Sequence, residues 1–176
     1  MRSTRQLPLM LQGTVTSRFD ASALLKEPGD AALVERGRPR LLVIRCPDGC
    51  GEDVVVNLDR QAGDAWRLYR TGNSITLFPS VWRDTGCESH FIVSKGRIYL
   101  FGTVAGDDDE PWGAFHSTSE EEVLSALSSD AYLSPETLAD RVQGEPWEIL
   151  AVCRRLARKH RVVEGEGKGR GTFRRL

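Results

Sequence analysis

The sequence lacks any apolar run near the roughly 20 residues that a membrane-spanning helix needs. Its N-terminal apolar patch, Leu7 to Leu11, is too short for the core of a signal peptide, and no small-residue cleavage site follows it. A net charge of −1 over 176 residues also argues against a protein that binds polyanions through bulk charge. We therefore expect a globular, cytoplasmic protein.

Familiar catalytic motifs are missing as well. The glycines between residues 165 and 171 follow a predicted strand but precede no helix, so they do not form a phosphate loop. Ser80, Ser89 and Ser94 lack both a glycine elbow and an assigned histidine base. The sequence gives no positive sign of an enzyme, and it favours a non-enzymatic role.

The pattern of apolar residues changes once along the chain and predicts an α+β protein with two domains. Residues 1–103 contain short alternating or apolar runs separated by glycine turns, which predict a mainly-β domain. Within it, residues 7–15 are read as one strand and residues 19–25 as a helical turn. Residues 104–117 contain an acidic run that ends in a proline, which predicts a solvated linker.

From residue 118 the apolar residues recur with the spacing of an α-helix. Ser119, Ser134 and Glu145-Pro146 are typical of helix starts, and they precede three short apolar stripes. A glycine-rich hairpin follows His160. Three helices and a hairpin in this order predict a winged-helix domain over residues 118–176.

The four cysteines and three histidines suggest a metal site, because disulfides are rare in the cytosol. Cys46 and Cys50 lie on one tight glycine turn, and Cys87 and His90 form a second pair after Gly86. Thiolate and imidazole groups are the ligands that zinc prefers in closed structural sites. We predict one structural Zn²⁺ bound by Cys46, Cys50, Cys87 and His90.

Other readings of these residues stay open. Asp48 can contribute an oxygen ligand, and the cysteines and His90 can instead be buried side chains without a metal. Catalytic zinc needs an open coordination position, whereas all four predicted ligands are already used. Cys153 lies on the apolar face of the third helix and is expected to be a small buried hydrophobic residue.

Charge is distributed unevenly over the predicted winged helix. Residues 117–153 contain eight acidic residues and one basic residue, whereas residues 154–176 contain nine basic and two acidic residues. The third helix and wing of a DNA-binding winged helix contact the duplex. The residues expected to bind nucleic acid are Arg154, Arg155, Arg158, Lys159, Arg161, Lys168, Arg170 and Arg174. A protein contact and a purely structural role for this segment are the alternatives.

Residues 28–102 resemble a bacterial family of unknown function with a zinc-type Cys/His pattern. The resemblance depends on Cys-Pro-Asp-Gly-Cys-Gly at 46–51, Thr-Leu-Phe-Pro-Ser-Val-Trp at 76–82 and Gly-Cys-Glu-Ser-His-Phe at 86–91. Members of that family occur in operons with ubiquitin-like proteins and their conjugation enzymes, some of which act in defence against phage. The first block of the family often carries a further cysteine at the position of Asp48.

This resemblance implies a protein partner and provides no catalytic residue. We therefore expect a non-enzymatic adaptor that recognises a ubiquitin-like modifier or its conjugating enzyme. The alternative is a DNA-binding regulator that uses the winged helix, with the zinc domain for sensing or dimerisation.

Overall fold

The computed structural model describes residues 5–101 and 118–176. The chain divides into two compact units, Met1–Glu110 and Pro111–Leu176. The first is mostly β-sheet and the second contains short helices, which confirms the predicted α+β class. The predicted linker over 104–117 lies outside the described residues. Within the described ranges, no helix is long and apolar enough to cross a membrane.

Within its described residues, 5–101, the first unit contains two sheets, one short α-helix and a 3₁₀ helix at Arg60–Ala62. Its elements are β1 (Arg5–Pro8), β2 (Met10–Val15), α1 (Arg18–Leu24), β3 (Asp30–Glu35), β4 (Pro39–Arg45), β5 (Asp53–Asn57), β6 (Arg67–Thr71), β7 (Ser74–Trp82), β8 (His90–Ser94) and β9 (Arg97–Phe101). The five-stranded sheet has the order β1-β9-β8-β7-β6, and the four-stranded sheet has the order β2-β3-β4-β5. All neighbouring strands are antiparallel except β2 and β3, which are parallel.

The main core lies between these two sheets. Leu33 and Ile44 of the four-stranded sheet share one buried cluster with Leu77 and Phe91 of the five-stranded sheet. Val34 and Val43 point to the opposite face, where they pack with residues of α1. Because β3 and β4 are covered on both faces, their sequences are continuous apolar runs rather than alternating ones.

The N-terminal segment differs from its prediction. Residues 7–15 form two strands in different sheets rather than one strand, since β1 pairs with β9 and β2 pairs with β3. The change of sheet occurs at Leu9, whose side chain is buried in the core and whose backbone N–H donates to the carbonyl of Gly96. The apolar run from Leu7 to Leu11 therefore contains a crossing between two sheets that its pattern does not reveal.

Over residues 118–176, the second unit contains three α-helices and a two-stranded hairpin, with a 3₁₀ helix at Gly167–Gly169 between its strands. The elements are α2 (Glu120–Ala126), α3 (Pro135–Val142), α4 (Pro146–Arg158), β10 (Val162–Glu164) and β11 (Phe173–Arg175). Ser119 and Glu122 form a reciprocal capping box, and the side chains of Ser134 and Glu145 cap the next two helices. The helix starts agree with the sequence, whereas the winged-helix assignment stays a prediction.

Replacing Leu42 with alanine is expected to lower the free energy of unfolding by about 2–5 kcal/mol, because it removes a fully buried side chain from between the two sheets. Urea denaturation measures the change. Met10→Ala is the control, since Met10 is 53% exposed and should change stability by less than about 0.5 kcal/mol. Equal losses in the two variants would contradict this description of the core.

Candidate functional site

Cysteines from both sheets converge at one end of the first unit. Cys46 follows β4, Cys50 lies on the loop between β4 and β5, and Cys87 lies on the loop between β7 and β8. The Sγ atoms of Cys46 and Cys87 are 3.5 Å apart. Asp48 joins them, and the ligand atoms of Cys46, Asp48, Cys50 and Cys87 all lie within 4.8 Å of one another. This metal-ligand cluster can hold a metal ion.

The fourth predicted ligand, His90, lies outside this cluster. His90 is the first residue of β8, and its neighbour Phe91 points into the core. Because successive side chains of a strand point to opposite faces, the imidazole lies on the outer face of the sheet. There its ring stacks on Trp82 at 5.5 Å and meets Phe101 at 4.8 Å, measured between ring centroids.

Local backbone geometry brings Asp48 into the cluster. The Asp48 carboxylate accepts a hydrogen bond of 2.8 Å from the backbone N–H of Cys50. Gly49 has φ of 93°, a value that glycine adopts readily, and its N–H donates to the carbonyl of Cys46. The N–H of Cys46 in turn donates to the carbonyl of Glu52. These bonds fold residues 46–52 into a tight loop with its ligand atoms on one side.

Two further side chains contact the sulfur atoms. Ser89 Oγ lies 3.4 Å from Cys46 Sγ, and Arg83 Nη1 lies 3.3 Å from Cys87 Sγ and 3.5 Å from Cys50 Sγ. Burial raises the pKa of Cys46 to about 11, against the opposing hydrogen bond from Ser89. Burial likewise acts to raise the pKa of Cys87, but hydrogen bonds with Ser89, Cys46 and Cys50 together outweigh it and the pKa is lowered.

The donor set of the cluster fits a tetrahedral metal ion. In a zinc site with Zn–S bonds of about 2.3 Å, neighbouring sulfur atoms are separated by about 3.8 Å. The Cys46–Cys87 separation of 3.5 Å is close to that value. A carboxylate oxygen is also an accepted zinc ligand, so three thiols and Asp48 can complete the coordination.

A second group of residues lies on the outer face of the five-stranded sheet. Trp82 is 69% exposed and pairs across the strands with His90, which in turn pairs with Phe101. Burial lowers the pKa of His90, so its ring is neutral at pH 7. No residue in the described parts of the chain makes a hydrogen bond to this imidazole.

The serines of this region differ in accessibility. Ser89 and Ser94 are only 2% and 0% exposed, and Ser89 is engaged with Cys46. Ser80 is half-buried and lies two residues before Trp82 in β7. The indole N–H of Trp66 donates to the backbone carbonyl of Ser80 at 3.1 Å, which fixes this part of the strand.

Some of the basic residues of the second unit have partners within that unit. Lys159 and Arg155 form ion pairs with Glu120, at 2.8 and 3.6 Å. Arg174 donates to the carbonyl of Ser129 at 3.2 Å, and its guanidinium also lies over the ring of Tyr132. Nucleic-acid binding by this segment stays a prediction.

The first unit is therefore a two-sheet β domain with a possible metal site at one end. Residues 18–101, from α1 to β9, match the model of BubE, a family described as bacterial ubiquitination-like system serine protease. No curated protein and no solved structure matches the chain. The family match confirms the predicted link to ubiquitin-like systems, and that context suggests a protein partner.

The family match contradicts two predictions. A serine protease family indicates an enzyme, so the expected non-enzymatic adaptor is wrong, as is the expectation that the chain is not an enzyme. The DNA-binding regulator gains no support from it. The absence of a glycine elbow does not exclude a serine nucleophile, because that motif belongs to one fold of serine hydrolases, whereas catalytic serines recur on unrelated folds.

The sequence did not reveal the role of Arg83, nor the contacts of His90 with Trp82 and Phe101 on the outer face of the sheet. Arg83 reaches the sulfur atoms only because its loop folds back, and no spacing rule signals that contact. Asp48 was recognised as a possible oxygen ligand, and its position between two cysteines was the available signal. Ser80 and His90 are ten residues apart, and only the strand pairing brings them to neighbouring strands.

We expect the four thiols of chelator-treated protein to react with iodoacetamide in a fixed order. Cys50 is exposed and should react first, whereas Cys153 is fully buried and has its pKa raised to about 12 by burial and by the charge of Glu164. Alkylation requires the thiolate. Mass spectrometry of timed samples measures the order, and urea-unfolded protein is the control. Equal rates for Cys50 and Cys153 in the native protein would contradict the structure.

Proposed function

We propose that this chain is a serine protease that cleaves a polypeptide substrate, the ubiquitin-like protein of a bacterial ubiquitination-like system or a conjugate of it. The match of residues 18–101 to a family described in those terms carries the proposal. Its nucleophile is Ser80 and its general base is His90.

Strand pairing supports this choice of residues. Trp82 lies directly opposite His90, and Ser80 lies two residues before Trp82 in the same strand. Ser80 lies within the register shift of β7 between Leu77 and Val81, so the pairing places it on the strand next to that of His90.

Accessibility and charge state support it as well. A nucleophile that attacks a polypeptide must be reached by it, which disfavours the buried Ser89 and Ser94. A general base must be unprotonated before it accepts a proton, and the lowered pKa of His90 keeps its imidazole neutral. The proposed proton transfer requires the ring to turn from its stack on Trp82 towards Ser80.

The reaction then follows ordinary acyl transfer. Ser80 Oγ attacks the carbonyl carbon of the scissile amide while His90 accepts the hydroxyl proton, and the same proton passes to the leaving amine. Water, deprotonated by His90, hydrolyses the resulting ester and releases the second product. The proton returns to the Ser80 oxygen.

The metal-ligand cluster has a structural role in this proposal. Cys46, Asp48, Cys50 and Cys87 bind Zn²⁺, which joins a loop of the four-stranded sheet to a loop of the five-stranded sheet. The ligand loop of Cys87 leads directly from β7 to β8. Zinc therefore fixes the two strands that carry Ser80 and His90, and no catalytic step involves it.

The second unit is proposed to be a winged helix that contacts the protein partner. Its element order of three helices and a hairpin supports the fold. The pairing of Arg155, Lys159 and Arg174 within the unit reduces the basic surface left for a nucleic acid.

Ser80→Ala should abolish protease activity and labelling by a fluorophosphonate probe, because both require the hydroxyl nucleophile. We expect cleavage of the system's ubiquitin-like protein, extended at its C-terminus by a reporter, to fall by more than about 10³-fold in this variant. His90→Ala should cause a similar loss. Ser74→Ala, also half-buried on β7, is the matched control. Probe attachment to another serine, or full activity of Ser80→Ala, would refute the assignment.

Purified protein should contain about one zinc ion per chain, and Cys87→Ser should lose it. His90→Ala should retain it, because the imidazole lies on the outer face of the sheet. Elemental mass spectrometry measures zinc, and circular dichroism shows whether each variant is folded. Zinc loss from folded His90→Ala would restore the ligand set expected from the sequence, and a folded wild type without metal would remove the zinc site altogether.

A further inference from the structure

Arg83 occupies an unusual position beside the metal-ligand cluster. Its guanidinium touches the sulfur atoms of Cys50 and Cys87, at 3.5 and 3.3 Å, through a single nitrogen, Nη1. Its second terminal nitrogen, Nη2, forms an ion pair with the carboxylate of Glu52. The Arg83 side chain is only 15% exposed, so it is held in this position rather than extended into solvent.

The charge of the cluster explains the need for such a cation. Three thiolates and one carboxylate carry four negative charges, and a divalent ion neutralises two of them. A net charge of about −2 beside a hydrophobic core is costly unless another positive group lies close to it. Arg83 is the cation that touches the two sulfur atoms nearest to solvent, since Cys46 is fully buried.

The loop around Arg83 is shaped to keep the guanidinium in place. Gly86 has φ of 72°, and a Cβ atom there would lie 3.1 Å from the Glu52 carboxylate and 3.2 Å from Arg83 Nη2. Residues 83–89 carry one ligand of the cluster, and residues 46–52 carry the other three. The Arg83–Glu52 ion pair therefore connects the same two loops that the metal connects.

We propose that Arg83, supported by Glu52, is an outer-sphere residue that determines how tightly this chain retains its metal ion. The inference depends on the zinc site of the proposed function but not on the protease activity. The planar guanidinium presents several N–H groups in a fixed geometry, so it bonds two sulfur atoms and a carboxylate at once. Removing it leaves two thiolates without their compensating charge.

Zinc affinity, measured by competition with a chromophoric chelator, tests this role directly. Arg83→Met is expected to raise the dissociation constant by about 10–100-fold, the effect typical of losing an outer-sphere partner. Arg83→Lys keeps the charge but cannot make all three contacts, so it should weaken binding by about 10-fold. Arg70→Met is the matched control, because Arg70 is exposed on β6 and should leave the affinity unchanged.

Glu52→Gln keeps the test valid if Arg83→Met fails to fold. Glu52 is 59% exposed, so this change does not disturb the core, and a several-fold weaker affinity is expected from loss of the ion pair. Affinities of the folded Arg83 and Glu52 variants within twofold of wild type would overturn the proposal. A wild type that binds no zinc would overturn it together with the zinc site, whereas loss of the protease assignment alone would leave it intact.

Discussion

Contact between Cys46 and Cys87 is the interaction on which the first unit depends. The two sulfur atoms, 3.5 Å apart, belong to loops from different sheets of the sandwich. A small β domain has a limited core, so a metal ion held by both loops would contribute much to its stability. Cys87 lies on the loop that leads from β7 to β8, the two strands that carry Ser80 and His90.

Much of the first unit follows from sequence because its strands are strongly patterned. The runs at β3, β4 and β5 are apolar and separated by glycine turns, so their pairing in an antiparallel sheet was predictable. The split of residues 7–15 between two sheets was not, since a continuous apolar run does not reveal where a strand changes its partner. In the second unit, the N-cap serines Ser119 and Ser134 allowed the starts of two helices to be predicted.

The candidate sites were less predictable than the fold. The spacing of the cysteines predicts three members of the cluster, Cys46, Cys50 and Cys87. The same spacing argument also predicts His90 as a ligand, and His90 lies outside the cluster. The side on which His90 lies depends on β8 beginning at that residue, and spacing alone does not reveal a strand boundary. The Ser80–His90 relation depends on pairing across a register shift in β7, which no local motif reports. The proposed function therefore depends on the family comparison rather than on a catalytic motif.

X-ray absorption at the zinc K-edge of the purified chain tests the central claim most directly, because it identifies the atoms bound to the metal without any variant. The proposed coordination by Cys46, Asp48, Cys50 and Cys87 predicts a first shell of about three sulfur atoms and one oxygen atom. Outer-shell scattering from an imidazole ring would contradict it, because that signal would require His90 to leave the outer face of the sheet and bind the metal.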